Sequence, residues 1–142
     1  MRIAAFTFLS LSIMATGAFA DPISDRKANM RERGGVLRVL APIAQGQQPF
    51  DAAVVMDALE KLNANAQAVD VAAFYPEGSN AGDTKASPKI WEDMAGFQAA
   101  NDKFAADVAA AVEANPADLG AFQAVFGPVA ANCGACHGAY RL

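Results

Sequence analysis

Between residues 24 and 140, apolar side chains recur every three or four positions in four blocks, with turn-forming residues between them. The first block predicts a helix from about Ser24 to Ala44. Ser24 and Asp25 are its candidate N-caps, and Gly46 and Pro49 of "QGQQPFD" stop it. Met30, Leu37, Leu40 and Ile43 form its apolar row with Gly34 standing in the gap, and Pro42 is expected to distort the last turn. The second block opens on Asp51 as N-cap and aligns Val54, Val55, Ala58, Leu59, Leu62, Ala66 and Val69 opposite Asp57, Glu60 and Lys61, an amphipathic helix of about five turns. The polar stretch "YPEGSNAGDTKAS" follows as the one long loop.

The third block starts at Ser87-Pro88, an N-cap followed by proline at the first helical position. Ile90, Trp91, Met94, Phe97, Ala100, Phe104, Val108 and Val112 carry it to about Glu113. Asn115-Pro116 is expected to cap the fourth helix in the same way. Its stripe reads Leu119, Phe122, Phe126, Val129, Cys133, Cys136/His137 and Tyr140, with a kink expected at Gly127-Pro128. Period-two alternation is scarce. Four amphipathic helices with mostly short connections predict an all-α, antiparallel four-helix bundle.

The residues before the first block change the boundaries of that domain. "MRIAAFTFLSLSIMATGAFA" has one basic residue, an apolar run too short for a membrane span, and a small-x-small end at Ala18-Phe19-Ala20. It predicts a signal peptide over 1–20, cleaved before Asp21, and a periplasmic single domain over 21–142. Ten basic and fifteen acidic side chains then remain, net −5, which argues against nucleic acid as a partner. No second apolar segment calls for a membrane after cleavage.

The chemistry is concentrated in "NCGACHGAY", which holds both cysteines and the one histidine of the chain, Cys133, Cys136 and His137. On a helix, spacings of three and four bring these side chains to one face. C-x-x-C-H is the signature of covalent c-type haem attachment, in which two thiols bond the haem vinyl groups and the adjoining imidazole ligates iron. A disulfide here closes a loop too small to stabilise anything, and a zinc site lacks further Cys or His ligands. A redox C-x-x-C belongs at a helix N-terminus, not near a helix end, although a haem-free thiol protein stays formally open. The cofactor expected is one haem c, held by Cys133 and Cys136, with His137 on iron.

The sixth iron position is open to methionine, lysine, a terminal amine or water. Met30, Met56 and Met94 are the methionines of the mature chain. Met30 has the most suggestive setting, because Gly34 and Gly35 clear the helix one turn later, where a flat macrocycle would press. Met56 and Met94 read as core fillers.

The C-terminal C-x-x-C-H, the four-helix pattern and the stretches "QGQQPFD", "SPKIWED" and "CGACHGAYR" resemble the class II cytochromes c, the cytochrome c prime family, over nearly all of residues 24–142. In one branch of that family the iron is five-coordinate, an apolar residue shields its distal side, and small gases such as nitric oxide and carbon monoxide bind there. In the low-spin branch a methionine of the first helix fills the sixth position. Counting back from "PIAQGQQPFD" without gaps puts Met30 at that position, so the resemblance implies the low-spin branch. The same register places Arg26 and Lys27 near the haem propionates and Arg141 beside the proximal pocket, where a plain helix-terminal charge is an equal reading. Trp91 and Phe97 are assigned to the core, with Trp91 reaching toward a haem edge. The resemblance also allows a homodimer packed through the first two helices, with "VVMDAL" as its apolar surface.

A one-electron carrier follows from His/Met ligation, since a soft thioether favours ferrous iron and neither oxidation state changes ligands. With no spare histidine, no distal donor and only scattered carboxylates, acid-base catalysis has no machinery, so an enzyme is not expected. Residues 21–44 carry five basic and three acidic side chains, a charge suited to an acidic redox partner, though a solvated helix face explains it with less.

Overall fold

The computed structural model describes residues 21–142; the expected signal peptide lies outside them. These residues form six helices: α1 (Pro22–Ala44), α2 (Ala52–Gln67), α3 (Val71–Phe74), α4 (Lys89–Glu92), α5 (Met94–Ala114) and α6 (Leu119–Tyr140). The long helices α1, α2, α5 and α6 pack cyclically, each against the next, as an antiparallel four-helix bundle. The described residues contain no strand, only a single bridge between Ala86 and Arg141.

Helix ends follow the aspartates. Asp21, not Ser24 or Asp25, caps α1 by accepting from Ile23 N and Ser24 N, with Pro22 at the first helical position. Asp51 caps α2, and Asp70 caps the short α3, which the sequence reading passed over. The fourth long helix is capped by Asp118 through Ala121 N at 2.8 Å. The expected Asn115-Pro116 cap is not formed; Asn115 instead takes the left-handed conformation that ends α5. At Pro42 the last turn of α1 loosens, and Gln47 N and Gln48 N both donate to Pro42 O.

The third predicted helix is in fact two. Asp93 leaves the helical conformation (φ −134°, ψ 57°) between α4 and α5, and its carboxylate caps α5 through Gly96 N at 3.0 Å while accepting from the Tyr140 hydroxyl at 3.0 Å. Gly96 leaves room for this pair, because a Cβ would lie 2.7 Å from the Tyr140 hydroxyl oxygen and still nearer the Asp93 carboxylate, so that these side chains would have to shift.

The main core joins all four long helices. Leu40, Leu59, Leu62, Val108, Phe122 and Val129 are fully excluded from solvent, and Phe122 stacks on Phe126 at 5.1 Å. Within "VVMDAL", Val55, Ala58 and Leu59 are spent on this core, and Val54 is its exposed large apolar side chain. A smaller cluster of Val71, Tyr75, Ile90 and Phe97 closes the other end of the bundle. There the chain terminus is pinned to the long loop, with Ser87 N donating to Tyr140 O and Leu142 N to Lys85 O, each at 2.9 Å.

Candidate haem-binding site

Cys133, Cys136 and His137 lie in the last three turns of α6, where the stripe that is buried at Phe122, Phe126 and Val129 becomes accessible. Cys136 and His137 line a cavity of about 410 Å³ whose facing wall comes from α1 through Arg26, Met30 and Arg33. Phe97, Tyr75 and Tyr140 complete its aromatic lining, with Phe97 edge-on to Tyr75 at 4.6 Å and to Tyr140 at 5.1 Å. Cys133 opens on a neighbouring apolar groove of about 530 Å³ between α1 and α6. Both cysteines are free and half-buried.

Burial raises both thiol pKa values, an effect the Arg33 charge opposes. His137 is shifted the other way: desolvation first, then the charges of Arg141 and Arg33, favour its neutral form, which is the form that binds a metal.

Met30 is 40% exposed and lines the cavity, whereas Met56 packs against the main core and Met94 against the smaller cluster. The glycines one turn after Met30 do not shape the cavity. Neither Gly34 nor Gly35 lines the cavity, and a Cβ on either would meet only the Arg38 side chain at ordinary contact distance. The gap in the apolar row of α1 is filled by Arg33.

Arg26, placed by resemblance at the propionates, is 5% exposed and largely engaged by the protein. Nη1 donates to Phe74 O at 3.2 Å and Ser79 Oγ at 3.1 Å, and Nη2 to Ser79 O at 2.8 Å. Its guanidinium carbon lies 4.8 Å from the Tyr75 ring centre, and only Nε is buried without a partner. Lys27 pairs with Asp83 at 2.5 Å, and that contact holds the Asp83 carboxyl below its usual range. Arg141 lines the cavity at the C-cap of α6, its N–H on His137 O at 3.2 Å. Trp91 does not line the cavity; its indole N–H donates to Pro76 O at 3.1 Å.

Arg33 is the cavity residue the sequence reading missed. Nε donates to Asn65 Oδ1 at 2.7 Å, and the guanidinium covers the Phe104 ring at 4.5 Å. A signal existed: Arg26, Met30, Arg33, Leu37 and Leu40 are spaced four, three, four and three, which is one face of α1.

One cavity gathers the Cys136 thiol, a neutral-leaning imidazole, a thioether and five cations with no carboxylate, and Cys133 lines the adjoining groove one helical turn away; this set suits a dianionic, iron-bearing macrocycle, so the residues present fit haem. Fold and site together define a c-type haem protein of the four-helix-bundle class. The family model described as cytochrome c' matches residues 21–141, and the chain belongs to that family, which carries covalently attached haem c. It is 36% identical over 123 residues to cytochrome c-556 of Agrobacterium tumefaciens (strain II Chrys), covering 87% of this chain and 98% of that one. The solved structure of cytochrome c' from Rhodopseudomonas palustris is 35% identical, with a TM-score of 0.79 over 87% of this chain and 97% of that one. A nitric oxide complex of a cytochrome c prime variant from Alcaligenes xylosoxidans is 34% identical, with a TM-score of 0.74 over 88% and 97%. Members of the family are haem electron carriers or gas-binding cytochromes, and this chain is one or the other.

Proposed function

We propose that the mature protein is a periplasmic one-electron carrier with His137 and Met30 as the axial ligands of its haem. The observation that carries this reading is the position of Met30. Among the methionines of the described residues, it alone faces the cavity that Cys136 and His137 line. Bound through Cys133 and Cys136, the haem supplies the one-electron couple.

The chain's own residues do the rest. The imidazole of His137 is held toward its neutral, ligating form. Phe97, Tyr75 and Tyr140 give the cavity aromatic walls. Arg26 fastens residues 74–79 onto α1, so that the wall bearing Met30 is fixed before any ligand arrives. Lys85 and Arg141 add positive charge around the cavity, in a mature chain of ten basic and fifteen acidic side chains. This suits an acidic redox partner and predicts electron-transfer rates that fall as salt is raised. The signal-like residues 1–20 support export.

The nitric oxide complex of a relative favours a second reading, a gas-binding cytochrome in which Met30 is off the iron. Optical spectra of ferric and ferrous holoprotein beside Met30→Ala separate the two. A low-spin spectrum with a far-red methionine-to-iron band, lost in Met30→Ala, is the expected outcome. A high-spin spectrum unchanged by the substitution, with ready carbon monoxide binding, replaces the carrier with the gas-binding protein.

A further inference from the structure

Arg33 is a strange residue to find where it is. It interrupts the apolar row of α1 and points into the cavity occupied by the chain's ligating side chains, where burial disfavours its charge. Arginine does not escape that cost by losing its proton. The protein compensates it locally. Asn65, 4% exposed on α2, accepts from Arg33 Nε at 2.7 Å, and Phe104 of α5 offers its ring face at 4.5 Å. Asn65 is in turn oriented by donating to Glu32 Oε2 at 2.6 Å and to Asn29 O at 3.5 Å. Among the described residues the Nε bond is the one hydrogen bond Arg33 makes, so its terminal nitrogens have no protein carboxylate to neutralise them. Glu32, the nearest acid of this network, is exposed on its solvent side and separated from the guanidinium by the Asn65 amide.

A fixed positive charge in a water-poor wall acts on any redox centre beside it. Taking up one electron lowers the net charge of the iron-porphyrin unit by one, with no proton transferred to Arg33, which is protonated before and after. The more negative, reduced state is then the one a neighbouring cation favours, and low dielectric enlarges the effect. We propose that Arg33, positioned by Asn65 and Phe104, is a built-in cation that raises the reduction potential of the haem on the Met30 side of the cavity. The electron itself comes from a redox partner protein.

This inference rests on haem binding in the cavity and deepens the carrier reading by assigning the tuning of its potential. The test is spectroelectrochemical titration of the holoprotein against Arg33→Met, Arg33→Gln and Arg33→Lys. Arg33→Met and Arg33→Gln are expected to shift the midpoint downward by about 59 mV, a tenfold change in a one-electron equilibrium. Arg33→Lys keeps the charge and retains most of the wild-type potential. Asn65→Leu, which frees the guanidinium to move toward water, gives an intermediate fall. Two results overturn the proposal: an unchanged midpoint in both neutral variants, or an Arg33→Lys midpoint as low as that of Arg33→Met, which would make packing rather than charge the cause. The two neutral replacements differ in polarity, so failure of one to mature leaves the other to decide. The far-red band is read in the same samples. Its absence from the wild type sinks Met30 ligation without touching the comparison of midpoints.

Discussion

The two ends of this bundle are built on different terms. At one end, thirteen buried residues from all four long helices form a continuous apolar core, and α6 contributes Phe122, Phe126 and Val129 to it. At the other end only Val71, Tyr75, Ile90 and Phe97 are buried together, and the same stripe of α6 surfaces at Cys133, Cys136 and His137. One helix therefore serves both as a core element and as the wall of a cavity. The first end satisfies itself; the second is shaped around a group that the polypeptide does not contain, and its stability is tied to that group by linkage.

The largest effect expected from this difference is the response to withholding haem. Protein expressed without haem attachment, or as Cys133→Ser/Cys136→Ser, is expected to lose amide-exchange protection over the last turns of α6 and around Tyr75 and Phe97. Protection at Leu40, Leu59 and Val108 persists. Uniform protection and full cooperative melting in the haem-free protein would show that the second end needs no cofactor. Phe122→Ala is the converse experiment. Removing a fully buried ring from the self-sufficient end is expected to cost about 3–5 kcal/mol. The visible spectrum of the folded fraction stays that of the wild type, and a spectrum altered along with the melting temperature would mean that the two ends are one unit.

The same division decides what was legible in the sequence. The main core is written in a local code, since helical period and aspartate caps act over a turn or two, and α1, α2 and α6 follow from it with small shifts at their ends, as does the C-terminal end of α5. The haem motif is legible for the same reason, because its donors fall within five residues. What was not legible depends on partners far along the chain. The break at Asp93 is invisible in an apolar row that runs unbroken through Ile90, Met94 and Phe97; the Asp93 carboxylate there is held by the Tyr140 hydroxyl, 47 positions away. Arg26 and Arg33 read as charged surface or as ligands of the cofactor, because their protein partners, Ser79 and Asn65, lie 53 and 32 positions off. The helix α3 has four residues, too few for any period to show.

A middle-sized effect is expected at Arg26, which joins α1 to the long loop at the cavity end. Arg26→Met keeps much of the volume but removes the three hydrogen bonds to Phe74 and Ser79, leaving buried acceptors unpaired. A loss of about 2 kcal/mol is expected, on the scale of charged hydrogen bonds, together with faster proteolysis between Pro76 and Thr84. If Arg26→Met leaves both unchanged but weakens haem retention, Arg26 belongs to the cofactor rather than to the loop.

The smallest effect lies at the seam between the two ends. Asp107 of α5 accepts from Lys103 at 2.5 Å within its own helix and from Asn132 at 2.7 Å on α6, one residue before Cys133. These bonds, Lys103 first and Asn132 second, hold the Asp107 carboxyl below its usual range. The unfolded chain therefore takes up the proton at a higher pH than the folded one. The stabilisation is fully present above the ordinary carboxylate pKa of about 3.9 and disappears as pH falls through the lower folded value. Asp107→Asn is accordingly expected to melt slightly below the wild type at pH 7, with the gap closing as both are taken below pH 4. The side chain is partly exposed, so salt narrows the gap as well. A difference that stays constant from pH 7 to pH 3 would trace the effect to packing rather than to the charge of the carboxylate, and would make the seam a packing joint rather than an electrostatic one.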